Sequence, residues 1–255
     1  MTGFLIGLVL GSALTAVMAV RYFNRRIARL GRFFSFAIHE INTPITAVNM
    51  TILNFLGGIF GTVAAAQVPW MEMIREQTAR LGALAGEMRD LVHIEFQKGL
   101  PIEIESMAVA EAVEKAVKVT AQGFINAGVK VNVSMPSHLP EVKADPDRFA
   151  RTLISLLFYG RKFRLSGDID VAARLRNSRQ MELQVKFMGQ KLSARQVARS
   201  LELFYPAEAD DNHGMTASGL GLGLLRRVCR AQGGELEFKV KGDGESQLNL
   251  ILNWA

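Results

Sequence analysis

Residues 36–46 read FAIHEINTPIT, and the helix they begin sets the reading of the whole chain. Apolar residues fall at Ile38, Ile41, Ile45, Val48, Ile52, Phe55 and Ile59. Steps alternating between three and four mark the seam of a helix packed in a bundle or coiled coil. His39 stands beside that seam, and Thr43 and Thr46 share its edge, because residues three and four apart lie on one face. Pro44 deletes a backbone donor and is expected to kink or loosen the helix just after the histidine. A neutral imidazole is a good nucleophile near neutral pH. Glu40 can accept the ring proton as the other nitrogen attacks. Thr43, one turn on, can orient a water for the reverse, hydrolytic reaction. A helix histidine with no duty is the bland alternative; the grouping HExxTP on an amphipathic seam argues against it.

These residues resemble the H-box of two-component sensor histidine kinases. The resemblance implies that His39 is the phosphoacceptor, Glu40 the acid/base and Thr43 the residue tied to phosphatase activity. It further implies a response regulator receiver domain as partner.

Outward from this helix, 255 residues with 49% hydrophobic content can hold one or two domains plus an anchor. The net charge of +6 is modest. Arg21, Arg25, Arg26, Arg29 and Arg32 cluster together. Such a cluster suits nucleic acid or membrane phosphates; no nucleic-acid reading motif accompanies it, and its position favours the membrane. A single Cys229 excludes an intramolecular disulfide and a thiolate metal cluster. No HExxH or CxxC spacing occurs, so no metal site is expected from the sequence.

Residues 3–20 are uncharged and almost wholly apolar, near the minimum for a membrane span. Basic residues follow the run and none precedes it, so the expectation is a single-pass signal anchor over 1–22. The remainder would then face the cytoplasm, which puts the protein in the inner membrane of a bacterium. A second apolar run, 45–68, is either another span or the end of the first bundle helix followed by a glycine-rich hairpin. Asn49, Thr51, Asn54, Gly57, Gly58 and Gly61 favour the hairpin.

Residues 71–95 read as a second amphipathic helix. Its expected apolar stripe is Ile74, Leu81, Leu84, Met88 and Leu91, and its expected wet face Arg75, Glu76, Arg80, Glu87 and Arg89. Two antiparallel helices bury such stripes poorly alone, whereas two hairpins make a four-helix bundle, so a homodimer is expected. EQTARLGALAGEMRDLVHIE resembles the second helix of the family's dimerisation and phosphotransfer domain, here 28–97. Beyond residue 100 the pattern alternates: strand 101–106, helix 108–127, strand 129–135, helix 147–163, strands 169–175 and 181–187, helices 193–203 and 221–232, strands 235–240 and 247–252. This order resembles the family's ATP-binding α/β sandwich of the GHKL type, over 100–255. The overall class is therefore α+β: anchor, helical hairpin, sandwich.

The family's nucleotide boxes can be followed residue by residue. SGLGLG (218–223) opens a helix and suits a phosphate through its bare backbone donors, with Gly219 and Gly221 as remnant contacts. DPDRFARTLISLLFYGRKF matches the asparagine-box helix, yet Ser155 and Tyr159 stand where the family carries asparagines. The second of these normally holds Mg²⁺ against the triphosphate. A phenol, with its pKa near about 10, is a poor ligand for a hard cation. Lys162 is kept and suits a phosphate. VKFMGQKLS resembles the first glycine box, keeping Gly189, but Phe187 replaces the aspartate that accepts from adenine and Lys191 replaces a glycine. ATP and Mg²⁺ are thus implied by resemblance and opposed by Tyr159 and Phe187. Three readings follow: a phosphoryl carrier with a weak or dead ATP site, a working sensor kinase with an atypical pocket, or a non-enzymatic scaffold that titrates a response regulator. A heterodimer with a competent kinase is compatible with the first.

Overall fold

The computed structural model describes residues 2–96, 99–203 and 221–254, with the side chains of 2–10, 12 and 13 outside that description. Helix α1 (Thr2–Leu56) runs unbroken through Pro44, and α2 (Val68–Phe96) returns antiparallel to it. The 45–68 run therefore breaks after Leu56. Gly58 and Gly61 adopt φ of 76° and 101° in the connection, conformations that side chains with a Cβ resist. At the far end the helices approach closely: a Cβ on Gly31 would stand 2.7 Å from that of Phe96, and Phe34 stacks on Phe96.

The seam of α1 divides in two. Ile38 is buried against α2, Ile52 is buried and Ile45 is half-buried, each seven residues from the next. Ile41, Val48 and Phe55, also seven apart, are 51%, 47% and 36% exposed. On α2 the stripe expected from sequence is partly wrong: Ile74 and Leu81 are exposed, while Ala85 and Val92 meet Ile38. The expected wet face is also corrected, since Glu87 is buried and Glu76 half-buried. The reason is that α2 has three neighbourhoods, namely α1, the sandwich and open solvent, and a two-sided pattern cannot describe it.

The sandwich follows as β1 (Glu105–Met107), α3 (Val109–Asn126), β2 (Val131–Ser134), β3 (Val142–Ala144), α4 (Pro146–Phe163), β4 (Ser166–Leu175), β5 (Gln180–Met188), α5 (Ala194–Ser200), α6 (Leu222–Ala231), β6 (Glu235–Val240) and β7 (Glu245–Asn253). The main sheet has the order β2-β4-β5-β7-β6, with β2 parallel to β4 and the remaining pairs antiparallel. The short strand β3, unforeseen in the sequence, pairs with β1 in a separate ribbon. Alternate residues of β5, Met181, Leu183, Val185 and Phe187, enter the core with Leu153, Leu156 and Tyr159 of α4 and Leu222 and Leu225 of α6.

Among the described residues no helix is long and apolar enough to cross a membrane. The run expected to do so, 3–20, falls largely on residues whose side chains lie outside the description. The expected single-pass anchor is therefore not seen in the structure.

Candidate functional site

His39, Glu40, Thr43 and Thr46 all lie exposed on α1, so the ridge expected from sequence is open to solvent. Thr43 donates its hydroxyl to the His39 carbonyl at 3.2 Å, and Thr46 donates to the Asn42 carbonyl at 2.9 Å. Pro44 has no N–H to offer the carbonyl one turn back, and the neighbouring hydroxyls bind carbonyls of the same turn. The helix stays continuous through the proline. The hydroxyl proton of Thr43 is spent on backbone, and its oxygen still presents lone pairs outward. The imidazole of His39 keeps its approach path.

The sandwich presents the opposite picture. Tyr159 is 0% exposed and Phe187 3%. The Tyr159 ring lies 4.5 Å from that of Phe163, 5.9 Å from Phe238 and 6.1 Å from Phe187. Phe187 is wedged between two glycines: a Cβ at Gly160 would stand 3.3 Å from its ring and one at Gly189 3.1 Å. The space that Tyr159, Phe163, Phe187, Gly189, Leu192, Phe238 and Ser246 enclose has no room for a water, at about 0 Å³. Burial pushes the Tyr159 phenol far above its ordinary value, so it stays neutral. A neutral phenol in an aromatic cage does not fit a magnesium-bound triphosphate, and Phe187 offers an adenine amino group no acceptor.

Among the described residues proposed for the nucleotide remnant, Gly189 and Lys162 line different clefts. Gly189 borders the aromatic cage and donates its N–H to the Gly244 carbonyl at 3.0 Å. Lys162 lies over the Phe163 ring of that cage at 5.1 Å and lines a neighbouring cleft of about 290 Å³ shared with Arg80, Phe158 and Arg161. Burial and then the nearby Arg80 guanidinium hold the Lys162 amine below its ordinary value. Gly221 caps α6 with φ 91°, and Gly219 lies outside the described residues. At Gly223 a Cβ would clash with the Glu202 carbonyl, so the backbone after α5 packs directly on the first turn of α6.

Ser155, at the first asparagine position, does not face the pocket either. It donates to Glu87 of α2 at 2.9 Å. It belongs to a polar stripe of α4 that sequence reasoning missed. Arg148 pairs with Asp90 of α2 and donates to the Pro101 carbonyl at 2.9 Å, both charged side chains being buried. Arg161 pairs with Glu76 of α2 at 2.9 Å, its guanidinium 5.0 Å from the Phe158 ring. Gly123 of α3 makes room for that pair: a Cβ there would fall 2.6 Å from the Glu76 carboxylate. Arg227 of α6 adds a contact to Glu95. The signal was present as Arg148, Arg151, Ser155, Phe158 and Lys162, recurring every three or four residues opposite the apolar face of α4.

No family model matches the chain. Among curated proteins it is 26% identical over 212 residues to the non-motile and phage-resistance protein of Caulobacter vibrioides, covering 81% of this chain and 25% of that one. It is 24% identical over 225 residues to the signal transduction histidine-protein kinase BarA of Escherichia coli, covering 84% and 24%. To the sensor histidine kinase YkoH of Bacillus subtilis it is 25% identical over 212 residues, covering 82% and 44%. The chain thus spans about a quarter of the length of the first two relatives. Full-length ShkA, solved in complex with AMPPNP, superposes with a TM-score of 0.60 at 16% identity, over 88% of this chain and 46% of that one. ThkA in complex with the response regulator protein TrrA gives 0.54 at 14% identity, over 91% and 64%. These structures share the order of helical hairpin and sandwich.

Proposed function

The chain is of the two-component sensor histidine kinase family, and from that premise we propose that His39 carries a phosphoryl group to or from a response regulator's receiver domain while the chain makes no phosphohistidine from ATP itself. What supports this is one contrast, an open imidazole ridge on α1 against an aromatic cage where a nucleotide would sit.

In the reverse transfer, a nitrogen of His39 forms a bond to phosphorus as the aspartyl oxygen–phosphorus bond breaks. The regulator's carboxylate leaves with the bonding pair. Glu40, adjacent and exposed, takes the proton from the other ring nitrogen. In hydrolysis, the outward lone pairs of Thr43 hold a water against the phosphorus. That ThkA was solved with a response regulator supports the same class of partner here.

Three further parts belong to this reading. The exposed set Ile41, Val48 and Phe55, repeating every seven residues, fits the face of a second hairpin and supports a homodimer. The apolar run 3–20 with arginines behind it supports a membrane anchor over 1–22 that leaves the hairpin (28–97) and sandwich (100–255) on the cytoplasmic side. A competent kinase, as the other half of a heterodimer, is an alternative source of phosphate.

The test is relay. The full chain, in lipid nanodiscs, is mixed with an acetyl-phosphate-labelled receiver domain. Acid-labile label on the chain that disappears in His39→Ala supports the reading. Decay and transfer indifferent to both His39 and Thr43 would leave only a scaffold.

A further inference from the structure

We infer that the cavity between the hairpin and the sandwich is a binding site for a small organic anion with an apolar body. It is distinct from both the His39 ridge and the aromatic cage, and it does not depend on the phosphotransfer reading. Its volume is about 420 Å³, within the range of small-ligand sites. Its walls come from both halves of the chain: Leu53 of α1, Ala83 of α2, Val119 of α3, and Ile154 and Phe158 of α4. These are carbon surfaces, and they suit an aliphatic or flat aromatic body.

Charge bookkeeping fixes the sign of the polar group. Glu72 and Arg75, both on the lining, pair with each other at 2.8 Å. Glu76, also on the lining, pairs with Arg161 at 2.9 Å. That leaves Arg151. It is half-buried, it lines the cavity, and no carboxylate or hydrogen-bond acceptor among the described residues contacts it. A half-buried guanidinium without a counter-ion beside an apolar wall is matched by a carboxylate or sulfonate, which it can grip with two parallel hydrogen bonds. A neutral or cationic ligand of the same shape leaves that group unmatched.

The position gives the site a consequence. Arg151 stands on α4 between Arg148 and Ser155, the residues that hold α4 to Asp90 and Glu87 of α2. A ligand seated there touches α1, α2, α3 and α4 together, so it strengthens the docking of sandwich on hairpin.

The experiment uses 2-naphthoate as probe, titrated calorimetrically into the full chain in lipid nanodiscs, with empty nanodiscs as blank. The neutral 2-naphthamide and cationic 2-naphthylmethylammonium are comparators. Expected is one saturable site for naphthoate. Arg151→Met should weaken it by about tenfold, as befits one charge-assisted contact, and Ala83→Leu should abolish it by filling the cavity. If Ala83→Leu lowers the melting temperature, Ala79→Leu on the same wall replaces it. The inference is overturned by no binding at 5 mM probe, about the weakest site such titration reads. Naphthamide binding as tightly as naphthoate, or binding that survives both substitutions, overturns it too.

Discussion

The hairpin and the sandwich treat their functional positions in opposite ways. On α1 the residues of the motif around His39 stay in solvent. In the sandwich Tyr159 and Phe187, at two of the nucleotide-motif positions, are buried with Phe163 and Phe238, and among the described residues the space between these rings is too small for a water. Yet the sandwich has a continuous five-stranded sheet and a packed core, and two of its helices are capped: Asp145 caps α4 by accepting from Arg148 N at 3.0 Å, and Ser193 caps α5 with a reciprocal Gln196 contact. A fold can therefore keep its stability while exchanging a polar pocket for an aromatic one, because burying Tyr159 and Phe187 adds apolar area where a ligand site must leave a hole. What the sandwich retains besides its core is its hold on α2.

The contrast can be broken most sharply at the imidazole. His39→Ala should abolish phosphoryl exchange with a receiver domain while moving the urea midpoint hardly at all, since an exposed helix side chain contributes within about 0.5 kcal/mol. Loss of folding instead would show that His39 is structural. At the other pole, Tyr159→Ala should cost about 3–5 kcal/mol in urea unfolding, the usual range for removing a buried aromatic. It should not create ATP affinity, because Phe187 remains and no amide oxygen is added. A variant that gained nucleotide binding would show that the ring alone had been the obstacle.

The link between the two halves comes next. Arg148→Met leaves Asp90 buried without a partner and should cost about 3 kcal/mol of the contact between α4 and α2, read by faster amide exchange along both helices. Gly123→Ala pushes a Cβ into the Glu76–Arg161 pair and should cost about 1 kcal/mol, the lower end for overpacking. Both should leave transfer at His39 measurable, since neither touches the ridge.

The smallest effect is set by acid. Burial alone would raise Glu235, but hydrogen bonds from Arg230 and Arg226 outweigh it and hold its carboxyl below the ordinary value. Lys239 does the same for Glu237, and Lys241 for Glu245. Folded values that are lowered mean stability present above the ordinary carboxylate value of 4.5 and lost as pH falls through the lowered ones. The urea midpoint should therefore be flat above pH 5 and fall below about pH 4.

What is legible in the sequence follows from which interactions are periodic. Helices α3, α4 and α6 and strands β4 to β7 were legible within a few residues because one face of each is buried in a single core. The substitutions at Tyr159 and Phe187 were legible as lost chemistry, but only packing reveals that the two rings close the site together. Strand β3 is three residues long and was missed for want of a repeat to detect. The role of α2 was misread at Glu87, Ile74 and Leu81 because a helix with two packed faces and one open face carries overlapping stripes. Lys162 and Gly189 come from different motifs and line different clefts on either side of Phe163, and spacing along the chain cannot reveal that.

The central claim rests most directly on a calorimetric titration of Mg-ATP into the wild-type chain. The account predicts no saturable heat up to millimolar nucleotide and no acid-labile label on His39 after prolonged incubation. A micromolar one-to-one isotherm, with label on His39 that is lost in His39→Ala, would contradict it.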